Sequence, residues 1–168
     1  MMMPPLNLQN WISDHQHLLK PPVGNCEIFP HGDFIVMAVG GPNKRKDFHI
    51  NEGPEFFHQI KGDVNIRVLE NGKPKDVFLK EGEVFLLPPK IPHSPQRPAG
   101  TVGLVLEHKR KEGEKDGFLW ICENCHEKLY DEYVHVTDIV QQLPKVFEHF
   151  YGNPQNATCK KCGTVAKR

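Results

Sequence analysis

The stretch Val64-Asn65-Ile66-Arg67-Val68 alternates apolar with polar side chains. In an extended chain successive side chains point to opposite faces, so this run buries one face and wets the other. Outward from it lie further short runs rich in Val, Ile and Phe: Phe34 to Val39, Glu55 to Ile60, Val77 to Leu79, Val84 to Leu87 and Val102 to Leu106. Turn residues divide them at Lys61-Gly62-Asp63, Asn71-Gly72 and Glu81-Gly82. Strand after strand at this spacing predicts a mostly β fold, a sandwich or barrel.

The flanks read differently. Leu8, Trp11, Ile12, Leu18 and Leu19 make an imperfect helical stripe that Pro21 and Pro22 close, so one N-terminal helix is expected. Past Glu107 the charged run from His108 to Gly117 reads as a solvated linker. Beyond it come Phe118-Leu119-Trp120-Ile121, a short strand near Tyr133 to Val136, and a helix from Thr137 to about Tyr151. Thr137 or Asp138 would cap that helix, with Val140, Leu143, Phe147 and Phe150 facing inward, and Pro144 should kink or split it. Residues 1–110 are expected to form the barrel with its helix, and residues 111–168 a C-terminal extension packed on it.

A chain of 168 residues fits one principal core with a small appendage. Lys and Arg number 21 against 21 Asp and Glu, which removes the footprint of a dedicated nucleic-acid or anionic-membrane binder. No run approaches the apolar length of a membrane helix, and Met1-Met2-Met3-Pro4-Pro5 lacks the basic and apolar regions of a signal peptide. The expectation is a soluble, cytoplasmic protein with a small-molecule partner.

Two segments carry the chemistry. Asp47, His49 and Glu55 lie among strand-like residues between Gly41 and Gly62, while Gly82, Pro88, His93 and Arg97 follow in order further on. Two imidazoles and a carboxylate on neighbouring strands suit non-haem Fe(II), because three protein ligands leave positions open for substrate and dioxygen. His49, Glu55 and His93 are the expected ligands. Asp47 reads equally as a partner of a ligand or as a strand-end charge. His15, His17, His31, His126, His135 and His149 are expected at the surface or as satisfied core residues. His58 and His108 fall on no motif position.

The spacing resembles the two signature motifs of the cupin superfamily, small antiparallel β-barrels or jelly rolls with a metal inside. Asp47 stands where the first motif has a His, five residues separate His49 from Glu55, and Arg97 and Lys90 take the places of an Asn and a Gly. One usual histidine ligand is therefore missing. Gly40 to His49, Pro54-Glu55-Phe56-Phe57-His58-Gln59 and Leu87 to Arg97 are similar to the 3-hydroxyanthranilate 3,4-dioxygenase family, over nearly the whole chain and including the C-terminal cysteines. That resemblance implies Fe(II) on His49, Glu55 and His93, the substrate carboxylate on Arg97, and Arg45 at the oxygen site. It also implies Glu107 at the substrate hydroxyl or amino group. The implied reaction is ring cleavage of 3-hydroxyanthranilate by dioxygen to 2-amino-3-carboxymuconate semialdehyde, on the route from tryptophan to quinolinate and NAD, in a homodimer. The residue chemistry agrees: a guanidinium matches a carboxylate through two parallel hydrogen bonds. A metal-dependent cupin isomerase and a non-catalytic cupin that binds small carboxylates are the alternatives.

Cys122-Glu123-Asn124-Cys125 and Cys159-Lys160-Lys161-Cys162 each set two thiolates on a tight turn, and together they predict a tetrahedral four-thiolate site for Zn or a rubredoxin-like iron. A thioredoxin-like dithiol would need a βαβ unit, which the chain lacks. Four protein ligands leave no open position, so this second metal is expected to be structural or stored. Cys26 reads as a small, semi-buried thiol with no assigned chemistry.

Overall fold

The computed structural model describes all residues except 1–3, 22, 23, 44 and 138, with backbone only at 139 and 140. Eleven strands among these residues form two antiparallel sheets. One has the order β1 (Asn25–Glu27), β2 (Phe34–Gly40), β9 (Val102–His108), β4 (Glu55–Lys61), β7 (Val84–Leu87). The other runs β11 (Lys128–Val134), β10 (Asp116–Ile121), β3 (Phe48–Ile50), β8 (His93–Gln96), β5 (Val64–Glu70), β6 (Lys73–Leu79). The sheets stack face to face, as the mostly β, cupin-like expectation requires. Their inner side chains, Val39, Phe57, Leu87 and Val105 from one sheet and Val64, Ile66, Val68 and Leu79 from the other, make one core.

The alternation at Val64, Ile66 and Val68 is what buries β5. Asn71 and Gly72 both adopt left-handed backbone, and this two-residue turn fixes the register of the hairpin from Glu70 opposite Lys73 to Val64 opposite Leu79. That register extends the strand expected over Val77 to Leu79 back to Lys73. As an edge strand, β6 tolerates both its charges and Pro74.

Three expectations change. The N-terminal helix is α1 (Leu8–Asp14), followed by a 3₁₀ turn over Gln16–Leu19. The Nδ1 of His15 lies 2.7 Å from the carbonyl of Trp11, and His15 itself leaves helical geometry. His108 to Gly117 is not simply a solvated linker: β9 continues through His108, β10 begins at Asp116, and Arg110 and Asp116 are buried as an ion pair. The strand expected near Tyr133 to Val136 is displaced to Lys128–Val134, where it pairs along β10.

Pro144 does not split the C-terminal helix α2 (Ile139–Tyr151). The lost backbone hydrogen bond is offset by burial, because Val146 and Phe150 pack on Phe118 and Trp120 of β10. Phe150 stacks on Trp120 with ring centroids 4.5 Å apart. Leu143 and Phe147 join the same cluster, whereas Asp138 and the side chain of Val140 lie outside the described residues. A one-turn helix, α3 (Pro154–Ala157), leads into the second cysteine pair.

Candidate active site and cysteine centre

Strand register brings the three expected ligands together. His49 on β3 is paired with His93 on β8, and Glu55, at the start of β4, projects from the opposite sheet. Glu55 Oε1 lies 3.2 Å from His93 Nε2 and 3.5 Å from His49 Nδ1, and all three residues are buried. Donors bound cis to one ion at about 2.1 Å lie about 3 Å apart, so these separations fit a single metal. Burial alone would raise Glu55, but His93 and His49 hold it well below the usual carboxylate range. His49 loses to burial and gains more from Asp116 and Glu55, ending at about 9. The pocket thus favours positive charge at its centre.

A polar ring surrounds the triad. The far nitrogen of His49, Nε2, is 2.6 Å from Asp116 Oδ2, and the near carbonyl of Ile91 lies 2.9 Å from His93 Nδ1. Such partners fix a ligand ring's orientation. Arg110 donates from Nε to Asp116 at 2.7 Å and from Nη1 to Glu107 at 2.9 Å, and Asn51 Nδ2 donates to both Glu55 and Glu107. Burial and the nearby Glu55 raise Glu107, and Arg110 opposes them. Arg110, Asp116 and Asn51 were not among the expected site residues. Burial is the property that marks them, and for Arg110 and Asp116 a run of mixed charge conceals it.

A cavity of about 690 Å³ opens beside the triad. Met37, Val39, Phe57 and Val105 give it an apolar wall, Phe147 and Tyr151 of α2 close another side, and Arg45, Arg97 and Glu107 reach it as polar groups. Arg45 is held in a forked pair by Asp47, so the partner of buried Asp47 is this arginine and not a ligand histidine. Arg97 is 6% exposed, and among the described residues no carboxylate lies within ion-pair distance of it. Burial pushes its guanidinium down to about 10, against a partial restoring pull from Glu55. Asn43 clamps the Arg97 backbone, accepting its N–H at 3.0 Å and donating to its carbonyl at 3.1 Å.

The four expected cysteines form the second cluster, with their sulfurs within 4.8 Å of one another. Cys122 lies 3.5 Å from Cys162, and Cys125 lies 3.5 Å from Cys159. Four thiolates around one ion at about 2.3 Å sit about 3.8 Å apart, so this set fits a metal too. Both knuckles repeat one backbone pattern. The N–H of Cys122 reaches Glu127 and that of His126 returns to Cys122; the N–H of Cys159 reaches Thr164 and that of Gly163 returns to Cys159. His126 and Gly163, each just after a second cysteine, take the left-handed backbone this turn needs. Cys26 is partly buried and unpaired.

A family model described as 3-hydroxyanthranilic acid dioxygenase matches residues 1–151. A protein of Xanthomonas campestris named 3-hydroxyanthranilate 3,4-dioxygenase is 49% identical over 165 residues, which cover 98% of this chain and 93% of that protein. A protein of Neurospora crassa with the same name is 46% identical over 166 residues, 99% of this chain and 92% of its own length. Among solved structures, a cupin-2 domain protein from Shewanella frigidimarina superposes on 61% of this chain and 99% of its own, with a TM-score of 0.48 and 16% identity.

Proposed function

We propose that this chain, which belongs to the 3-hydroxyanthranilic acid dioxygenase family, is a non-haem Fe(II) enzyme that opens the ring of 3-hydroxyanthranilate. Both atoms of dioxygen enter the product, 2-amino-3-carboxymuconate semialdehyde, on the route to quinolinate and NAD. The observation that carries the reading is Arg97, a buried guanidinium without a carboxylate partner among the described residues, facing the cavity that the His49, Glu55 and His93 triad also borders. A buried cation left unpaired is costly, so the fold has kept a place for an anion that arrives with the ligand. Relatives named as dioxygenases leave the isomerase and the non-catalytic alternatives without support.

Each residue then has a task. Arg97 grips the substrate carboxylate through paired hydrogen bonds and sets the ring's direction in the cavity. Phe57 and Val105 supply an apolar wall against the ring. Glu107, whose two oxygens already accept from Arg110 and Asn51, is fixed where it can take a proton from the substrate hydroxyl or amino group. Arg45, steadied by Asp47, adds positive charge where negative charge builds on oxygen. A ferrous ion held by the triad would supply open coordination positions for the aminophenol and for dioxygen.

The cysteine centre would hold Zn or Fe in a closed, structural or storage role. We also read the protein as a cytoplasmic homodimer. The outer face of the five-stranded sheet exposes Phe34, Val84 and Leu86, an apolar patch that a second copy would cover. Among the described residues no helix is long and apolar enough to cross a membrane. The deciding experiment loads the protein with Fe(II) without air, adds 3-hydroxyanthranilate, then admits dioxygen. Growth of the semialdehyde absorbance with matching oxygen uptake is expected. No oxygen uptake by protein carrying metal at the barrel site would refute the assignment.

A further inference from the structure

The inner face of β4 and the strand beside it lay out the cavity in steps. Glu55, Phe57 and Gln59 point inward from β4, and opposite them on β9 stand Glu107, Val105 and Gly103 in direct register. One end of this double column carries carboxylates beside the metal donors, the middle is apolar, and the far end carries an amide facing a glycine.

At that far end Arg97 Nη1 donates to Gln59 Oε1 across 3.4 Å. The amide of Gln59 cannot turn over, because its Nε2 donates to the carbonyls of Lys61 at 3.0 Å and Gly62 at 2.8 Å. Its backbone is equally fixed: its N–H bonds Glu83 and its carbonyl accepts from Gly82. A bulge between Gln59 and Lys61 aims the side chain here. Gly103 gives the room, since a Cβ on it would stand 2.8 Å from Arg97 Nη1 and 3.0 Å from Gln59 Oε1.

We propose that Gln59 is a positioning residue that holds the Arg97 guanidinium by an uncharged acceptor, with Gly103 keeping the space, so that the cation stays free for a ring carboxylate and selects carboxylated over uncarboxylated aminophenols. This rests on the reading of Arg97 as the carboxylate anchor. An acid at position 59 would do the opposite. Two turn carbonyls would repel a carboxylate there and drive it onto Arg97, where it would occupy the charge that the substrate needs.

The test measures KM for 3-hydroxyanthranilate and the inhibition constant of 2-aminophenol, which has the hydroxyl and amino groups but no carboxylate, in protein with verified barrel-site metal. The substitution Gln59→Glu should raise KM about tenfold or more while kcat and the 2-aminophenol constant stay within about twofold, because only the carboxylate contact is lost. Gly103→Ala should also raise KM, by less, and again leave the 2-aminophenol constant within about twofold, and it decides the matter if Gln59→Glu fails to fold. A merely structural role would move both ligands together. Unchanged KM in both variants, or equal shifts for the two ligands, overturns the proposal. Arg97→Ala separates the two levels. If it raises KM while the Gln59 and Gly103 variants do not, only this inference falls; if it leaves KM unaltered, the anchor reading falls as well.

Discussion

The barrel cluster and the cysteine cluster are both compact sets of metal donors, yet their surroundings differ. His49, Glu55 and His93 offer two nitrogens and one oxygen beside a cavity of about 690 Å³, and buried polar groups brace them from behind. The cysteines offer four sulfurs on two matching backbone turns, and none of them lines that cavity. Three donors with free volume beside them leave an ion able to take further ligands. Four donors on tight turns fill a tetrahedron, and what remains is cross-linking. The contrast teaches that donor count and adjacent volume separate an open donor set from a closed one better than donor burial does, since Cys122 and Cys159 are as buried as the triad although Cys125 is partly exposed and Cys162 exposed.

The sharpest way to break that contrast is to remove a barrel ligand. His93→Ala should lose barrel-site metal and lower turnover by about 10³-fold or more, given that a metal supplies several kcal/mol to such a reaction. Cysteine-bound metal should stay, so element analysis is expected to find two ions per chain in the parent and one in the variant. Loss of both ions together would mean that the centres are not independent. Next in size is Arg97→Ala. Truncating one half of a buried charge pair costs about 2–5 kcal/mol, so KM should rise about 10²-fold with metal content unaltered.

These effects fall on residues that the chain announces. The strands were legible because Val64, Ile66 and Val68 alternate, and the candidate donor triad because two histidines and a glutamate stand at spacings that neighbouring strands can close. The cysteines were legible because C-x-x-C is a local geometry. What lies between was not. Arg110 and Asp116 sit in a run of mixed charge that reads as wet, and only the pairing of β10 with β3 carries Asp116 to His49. Gln59 looks like any polar residue near a turn until Gly103 is found opposite it. Pairing between strands distant in sequence decides burial in both cases, and no window of sequence contains it.

Asp116→Ala probes how much the bracing contributes. Without its acceptor the His49 ring is free to rotate, and loss of such a partner weakens metal binding about 10- to 100-fold. Titration of the metal-free variant with Co(II), followed by absorbance, would measure this, and unchanged affinity would show that the ring of hydrogen bonds is incidental to the ligand. A smaller activity change is expected at the other centre. In Cys159→Ser the cysteine-bound metal should be lost and the melting temperature should fall by about several degrees, because a structural metal's binding energy is folding energy. Turnover per barrel-site metal should stay within about threefold. A folded variant with a full barrel site and no turnover would make the cysteine centre part of the chemistry.

The smallest effect bears most directly on whether the two centres communicate. Lys46, beside the Arg45 and Asp47 pair, reaches Glu123 inside the first cysteine knuckle at 3.2 Å. Lys46 is a third exposed and Glu123 more so, and an ion pair that wet is worth about 0–1 kcal/mol. Lys46→Ala should therefore leave KM and kcat within about twofold, with the same salt dependence as the parent beyond the loss of one screened contact. A tenfold loss would require this pair to hold the Arg45 segment in place from the cysteine side, and the staple would then also be setting the geometry of the cavity.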